Sequence, residues 1–165
     1  MIFRLTNKMA KRLKVTQNPA PMDCAAKLCD WSSSYFFAHG SPYIILMHST
    51  CYVSWVFPGK GITNTKLFLQ AADENLERTI KFLGFHPVYK NTISLSFEEI
   101  QFTKVGDAVA NGVMTYLAGL AKIYLVEYGR KLPDINASLN DTPIRNTNMV
   151  MPKKEFARLV ELEIS

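Results

Sequence analysis

The sequence predicts one domain of the α+β class: a mainly antiparallel sheet packed against two long helices, with short helices near the N- and C-termini. Three observations support this prediction. The 165 residues are 48% hydrophobic and 20% charged, a composition that can bury one sizeable core. Strand-like and helical segments follow one another without the regular alternation of a βαβ protein. No internal repeat or low-complexity segment divides the chain, so a single globular domain over residues 1–165 is expected.

The N-terminal segment has the pattern of a short strand followed by a short helix. Residues 2–5 read Ile-Phe-Arg-Leu, which is typical of a strand. Thr6 or Asn7 can then cap a helix over residues 8–15 by accepting a hydrogen bond from a free backbone amide. Apolar side chains four residues apart would face the core. The outward face of this helix would be basic, with Lys8, Lys11 and Arg12.

Residues 31–57 are rich in aromatic and β-branched side chains, which favour strands. Two turn-like segments interrupt them, Gly-Ser-Pro at 40–42 and His-Ser-Thr at 48–50. We therefore expect an antiparallel meander with strands near residues 32–38, 43–47 and 51–57. Pro58 and Gly59 would end it.

Two longer segments have helical periodicity. Residues 64–83 place apolar side chains on one face at spacings of three and four, and Gly84 is a suitable terminator. The second helix would begin after Gly106-Asp107 and extend to about Tyr128. Its longest charge-free run, residues 108–121, is shorter than the roughly 20 apolar residues that a bilayer span needs. We expect this to be the central helix of the fold, and no membrane association.

The remaining segments are less regular. Residues 88–105 alternate apolar and polar side chains twice, which predicts a hairpin or two strands, although Ser96 and Glu99 have the spacing of a helix capping box. Residues 129–148 have the composition of a loop, with a short helix near 134–139. A last amphipathic helix is expected over residues 152–163, with Pro152 in its first turn.

The net charge of +5 is confined to the first sixty residues. They carry seven basic and two acidic side chains, whereas residues 61–165 carry twelve of each. An imbalance confined to one segment indicates a directed contact with an anionic partner. The basic residues of interest are Arg4, Lys8, Lys11, Arg12 and Lys14. Their alternative interpretation is a solvated outer helix face.

Nucleic-acid binding suits such a cluster, because neutralising phosphates releases condensed counterions. Aromatic residues such as Trp31, Tyr35 or Trp55 could stack on unpaired bases, and Trp31 and Trp55 could also line a pocket. No recognition helix or zinc finger of a standard nucleic-acid reader is present.

The segment Pro58-Gly-Lys-Gly-Ile-Thr63 precedes a predicted helix and is a candidate anion site. Lys60, Gly61 and Thr63 would hold a phosphate with the help of backbone amides. The spacing is not that of a P-loop. A strand-to-helix turn that needs glycine for positive φ explains the same residues.

Other chemistries have weaker support. The cysteines and histidines between Cys24 and Cys51 lack the spacing of a zinc site, so no metal and no cofactor is expected. His48 and Cys51 lack an evident orienting acid, so they do not predict a nucleophile pair. Asn140 and Thr142 have the composition of a hydrogen-bonded turn, and turns of this kind can line a site. Whether the protein is an enzyme is left open.

The order of several short motifs resembles a family of small uncharacterised bacterial proteins. The motifs are Met1-Ile2-x-Arg4-x-Thr6-x-Lys8-x-x-Lys11-x-Leu13, Asp30-Trp31, Tyr43-x-x-Leu46, Pro58-Gly59-Lys60-Gly61-Ile62-Thr63, Gly106-Asp107, Asn111-Gly112-x-Met114, Leu139-Asn140-x-Thr142-Pro143 and Pro152. The resemblance implies a single-domain prokaryotic protein and transfers no mechanism. It draws attention to Lys8, Lys11, Trp31, Lys60, Asn140 and Thr142. The family pattern has His or Ala after the tryptophan, where this chain has Ser32.

The expected function is non-enzymatic binding of nucleic acid or an acidic protein by the basic N-terminal face. One alternative is an enzyme or ligand-binding protein that holds a phosphorylated molecule at the turn 58–63. Another is a protein-interaction or dimerisation module with exposed aromatic residues such as Tyr35, Phe36 and Tyr52. Three unevenly placed cysteines and no secretory pattern favour the cytoplasm. The oligomeric state is not predicted.

Overall fold

A computed structural model describes residues 1–18, 27–145 and 149–165. Its main element is a five-stranded sheet with the strand order β4-β3-β2-β1-β5. The strands are β1 (Ile2–Leu5), β2 (Asp30–Ala38), β3 (Ser41–His48), β4 (Ser54–Pro58) and β5 (Gln101–Lys104). The predicted α+β class is confirmed, and the predicted meander corresponds to β2, β3 and β4.

The sheet is mixed rather than mainly antiparallel. β1 pairs in parallel with both β2 and β5, whereas β2, β3 and β4 pair antiparallel. The reason is topological: helices lie in the chain between β1 and β2 and between β4 and β5. Such connections can return the chain in the same direction, which a short hairpin cannot do.

Helices cover both faces of the sheet, so the two long helices do not share a layer. The helices are α1 (Asn7–Leu13), α2 (Thr65–Phe82), α3 (His86–Val88), α4 (Ala108–Val126), α5 (Leu132–Asp141) and α6 (Pro152–Ile164), of which α2 and α4 are the two long ones. α1, α2 and α6 bury their apolar side chains in one core, and α4 and α5 in a second core. Alternate residues of β3 contribute to the two cores: Ile44 and Leu46 face the first core, and Ile45 and Met47 face the second.

The prediction of a hairpin or two strands within residues 88–105 is wrong for the first strand. Only the second strand, β5, is present in this segment. After α3 the chain forms a π turn, Tyr89–Ile93, and a 3-10 turn, Ser94–Glu98. Ile93 is buried and Phe97 is half-buried four residues later, as on one face of a helix, whereas Leu95 between them is exposed. The apolar alternation of the sequence therefore does not correspond to one face of a strand. The capping-box alternative is also absent, because the Ser96 hydroxyl donates to the Ile93 carbonyl oxygen.

The short helix expected near residues 134–139 is α5, and it covers the β4 edge of the sheet. The Asn136 amide oxygen accepts from the Val56 backbone N–H at 2.7 Å, and its nitrogen donates to the Val56 carbonyl at 3.0 Å. Asn140 makes the same two bonds to Ser54, at 2.9 and 2.7 Å. Two side chains one helical turn apart thus replace a neighbouring strand.

Two smaller features complete the fold. A two-stranded ribbon pairs β6 (Ile144–Arg145) with β7 (Met149–Val150), and a 3-10 turn, Lys27–Cys29, leads into β2. α4 has the length and apolar composition of a helix that could cross a membrane, a test that core helices of soluble proteins also pass. Less than a quarter of this apolar segment of α4 is buried in the fold.

Candidate functional site

Arg4 does not belong to the basic surface of α1. It lies on β1 and points to the face of the sheet opposite Phe3 and Leu5, as strand alternation requires. Its guanidinium binds the Asp30 carboxylate in a fork, with Nε–Oδ1 at 2.8 Å and Nη2–Oδ2 at 2.7 Å. The Ser49 hydroxyl donates to the same carboxylate at 2.7 Å. Asp30 therefore balances this charge, and the pair joins β1 to β2.

Arg12 is bound to the turn that was predicted as an anion site. Its Nε and Nη2 donate to the carbonyl oxygens of Ile62 and Gly59, each at 3.0 Å. The Gly59 and Ile62 amides donate to carbonyl oxygens of Pro42 and Gly59. The face of the turn toward Arg12 thus presents carbonyl oxygens rather than amides.

The predicted anion-site residues themselves lie on the outside of this turn. Lys60, Gly61 and Thr63 are exposed, and Gly61 has a φ of +81°, which explains the need for glycine. Lys60 and Gly61 line a shallow hollow that also contains the Glu74 carboxylate. An anion-binding role for this turn stays a prediction.

The lysines of α1 remain exposed. Lys8, Lys11 and Lys14 all have solvent-exposed side chains, and the Lys8 ammonium lies 5.3 Å from the centre of the Tyr35 ring. Arg12 lies over the same ring at 4.9 Å. The half-buried Tyr35 ring therefore positions two cations of α1. Three of the five basic residues predicted as a binding face form one accessible surface.

Lys8 also lines a groove that opens where β1 and β5 end. β2 continues past these strand ends, so its residues Ser34 and Phe36 form one wall and α4 forms the opposite wall. The groove has a volume of about 610 Å³. Crevices at the carboxyl ends of parallel strands are common ligand sites in proteins with such strands.

The groove is electropositive. Lys8 from α1, Lys104 from β5 and Lys122 from α4 line it. Its described lining contains no aspartate or glutamate, and its neutral polar groups are Thr6, Asn7, Ser34, Asn111 and Thr115. The Thr6 hydroxyl donates to Ser34 Oγ at 3.1 Å, which fixes the wall at the end of β1. Three ammonium groups without a carboxylate give the groove a local excess of positive charge.

Of the aromatic residues proposed for stacking, Tyr35 lines the groove, whereas the two tryptophans and the polar pair Asn140 and Thr142 lie elsewhere. Trp31 is fully buried and its indole N–H donates to the Leu28 carbonyl oxygen at 2.9 Å, so it cannot stack on a base. Trp55 packs against Phe82. Asn140 is buried against β4, and the Thr142 hydroxyl donates to the Ser138 carbonyl oxygen. These residues support the fold.

The buried His48 and Cys51 are also structural. His48 Nε2 donates to the Lys27 carbonyl oxygen at 3.1 Å, and Nδ1 accepts from the Cys51 amide at 3.3 Å. Burial lowers the pKa of His48 to about 4 and raises the pKa of the Cys51 thiol to about 12. The thiol is therefore protonated and unreactive. Across the described residues no group of three metal-ligating side chains occurs, and Cys24 lies outside them.

Sequence reasoning missed Lys104 and Lys122, and it noted Asn111 only as part of a family motif, without a role. They are separated from Lys8 by about a hundred residues, and only the fold brings them together. One signal was available: Lys122 is the single charge within the apolar segment that forms α4. An isolated lysine on a long apolar helix is typical of a helix that exposes one side to solvent or to a charged ligand.

Comparison with known proteins identifies the domain. A family model matches residues 2–155 of the 165. The chain belongs to DUF6933, a domain of unknown function. The match extends from β1 into α6, so the DUF6933 domain includes α1 and the whole groove. The predicted resemblance to an uncharacterised family is thereby confirmed. No curated protein matches the chain, so the function has to be inferred from the site.

Proposed function

We propose that this protein binds single-stranded nucleic acid along a basic surface made of α1 and the groove. The observation that carries the proposal is the position of Lys8, which belongs to both parts. Lys11 and Lys14 extend the charge along α1, and Lys104 and Lys122 extend it into the groove. A phosphate backbone could contact all five lysines in succession.

Charge supports this proposal. Within the described part of the chain, no carboxylate forms an ion pair with any of these five lysines. Their charge is therefore available to phosphates, whereas Arg4 and Arg12 are held by Asp30 and by carbonyl oxygens. Binding by such lysines releases counterions, so affinity should fall steeply with salt.

The size and lining of the groove favour a single strand. A volume of about 610 Å³ lies in the range typical of small-molecule sites, roughly 300–1,000 Å³, which favours part of a single strand over a duplex. Asn111 and Thr115 offer donors and acceptors to a base or sugar, and Met114 and Phe36 provide apolar surface. Single strands are commonly held by such a combination of charge and apolar contact.

The test is fluorescence anisotropy with labelled single-stranded RNA, single-stranded DNA and duplex DNA at low and physiological salt. The groove variant carries Lys8→Ala, Lys104→Ala and Lys122→Ala. The matched control carries Lys66→Ala, Lys90→Ala and Lys154→Ala, which removes the same charge from exposed positions outside the groove. We expect the groove variant to bind single strands at least tenfold more weakly and the control to lose less than threefold.

Several outcomes would contradict the proposal. Equal losses in both variants would show that only net charge matters, and salt-independent binding would exclude phosphate contacts. Equal affinity for a mononucleotide and an oligonucleotide would indicate a small-molecule site. Absence of binding to every nucleic acid would leave an acidic protein as the anionic partner.

A further inference from the structure

We propose that the outer face of α4 is the interface of a homodimer, in which α4 packs antiparallel against α4 of a second copy. The face is a stripe that we call the α4 stripe: Val109, Gly112, Tyr116, Gly119, Ile123 and Val126. This inference does not depend on the proposed function.

The α4 stripe is exposed and apolar. Val109, Tyr116, Ile123 and Val126 are 44%, 52%, 40% and 42% exposed. The core side of the helix carries a different set, Ala110, Val113, Met114, Leu117 and Ala121. Successive residues of the stripe are three and four residues apart in turn. This spacing is typical of the contact line between two packed helices.

The two glycines of the stripe have no explanation within one copy. Gly112 and Gly119 lie in the interior of α4, where glycine is less favourable than alanine. A Cβ atom built at either position would meet no atom within 4 Å, and neither glycine has a positive φ. Because packing within one copy does not need glycine there, close approach of a group from outside the chain is the physical reason that remains. Gly119 also lines the groove, whereas Gly112 does not, so the argument for a second copy rests on Gly112.

The stripe is complementary to itself when two helices run antiparallel. About a two-fold axis at the middle of α4, Tyr116 lies opposite the second copy's Gly119. In the same register Ile123 lies opposite Gly112, and Val109 opposite Val126. A large side chain therefore meets a small one in the two central layers. A parallel pair would instead place Tyr116 against Tyr116 and glycine against glycine, which leaves both clashes and voids.

The helix dipoles also favour the antiparallel pair, because they would oppose each other. Glu127, at the C-terminal cap of α4, would lie opposite Ala108 at the start of the second copy's α4, where the Asp107 carboxylate already accepts from the Val109 amide. The contact between these two helix ends therefore adds no attraction. In a parallel pair the two Glu127 carboxylates would lie together and repel. The antiparallel contact would extend along about 28 Å, the length of α4 at 1.5 Å per residue.

The first test is the mass of the full chain by sedimentation velocity over a range of concentrations. We expect a dimer of twice the 18.7 kDa protomer at tens of micromolar. Gly112→Leu should weaken dimerisation at least tenfold because it fills the space that receives Ile123. The same change should raise the melting temperature of the monomer, since leucine favours helix more than glycine. Gln70→Leu, an exposed position on α2, is the matched control and should leave the dimer intact.

A second variant keeps the proposal testable if Gly112→Leu fails to fold. Tyr116→Glu places a charge on an exposed side chain, so it should give a folded monomer at every concentration tested. A wild type of 18.7 kDa at hundreds of micromolar, or dimers that persist in both variants, would overturn the proposal. So would loss of wild-type protein from solution only in the presence of lipid vesicles, because that result would make a membrane the occupant of this face.

The direction of the helices can be tested by crosslinking. A mixture of Val109→Cys and Val126→Cys proteins should form an interchain disulfide on mild oxidation, because these positions are opposite each other in the antiparallel pair. Val109→Cys alone should not crosslink. Efficient crosslinking of Val109→Cys alone would indicate a parallel pair and contradict the register proposed here.

Discussion

The two arginines of the basic N-terminal segment differ from its lysines in what they bind. The planar guanidinium fork matches a carboxylate or a pair of carbonyl oxygens, and Arg4 and Arg12 are used in these two ways. The ammonium groups of Lys8, Lys11 and Lys14 remain hydrated at the surface. A count of positive charges along the sequence therefore overstates the charge that a partner can contact.

A single buried histidine should set part of the pH dependence of stability. The pKa of His48 is about 4 in the folded state, compared with 6.5 for the free side chain. Between these values the unfolded chain binds a proton that the folded chain does not, so stability falls as the pH falls from 6.5 to 4. The loss attributable to this group should reach about 3 kcal/mol at the lower end.

Urea denaturation at pH 7, 5.5 and 4.5 measures this effect. His48→Gln is the control, since glutamine cannot be protonated in this range. We expect the free energy of unfolding of this variant to depend much less on pH, although its value at pH 7 will be lower. The same pH dependence in the variant and the wild type would show that other groups are responsible.

At the scale of elements, α5 has a protective role. An edge strand exposes N–H and C=O groups that can pair with another chain, and natural proteins cover such edges. Asn136 and Asn140 satisfy those groups on Val56 and Ser54. The cover consists of side-chain amides rather than a sixth strand.

Removal of this cover should destabilise the protein and promote aggregation. Asn140→Ala leaves a buried N–H and a buried C=O of Ser54 without partners, at a cost of roughly 1–3 kcal/mol for each group. Asn91→Ala, at an exposed position, is the control. Chemical denaturation gives the stability and light scattering during mild heating gives the aggregation. Stability and scattering equal to those of Asn91→Ala would contradict the role of α5.

Local patterns predicted the elements that local forces determine. The meander, α2, α4, α5 and α6 were expected near their observed bounds, because periodicity and turn residues report on short segments. The turns over residues 86–98 were missed because their changing helical pitch has no single period. The candidate site was predicted only in part: Lys8 was selected from its neighbours in the sequence, whereas Lys104 and Lys122 join it through tertiary structure.

At the scale of the whole molecule, the two proposed surfaces share one helix. α4 contributes Asn111, Thr115 and Lys122 to the groove, and its α4 stripe faces away from the core. In an antiparallel dimer the two grooves would therefore lie on either side of one helix pair. This arrangement gives a reason for the weak burial of α4: one side is available to a ligand and the α4 stripe to a second copy. The two surfaces meet at Gly119, which belongs to both.

The central position of β1 has a consequence for the order of folding. β1 begins at Ile2, yet its outer neighbour β5 begins at Gln101, so one of its two pairings closes a loop of about a hundred residues. The β2–β3–β4 meander closes only short loops. Because long loops are costly to close early, the meander should form first and β1 should insert late. Pulse-labelling hydrogen exchange during refolding should protect the β3 amides before those of β1, and simultaneous protection would exclude this order. During synthesis, the interior strand that is made first would be among the last to find its place.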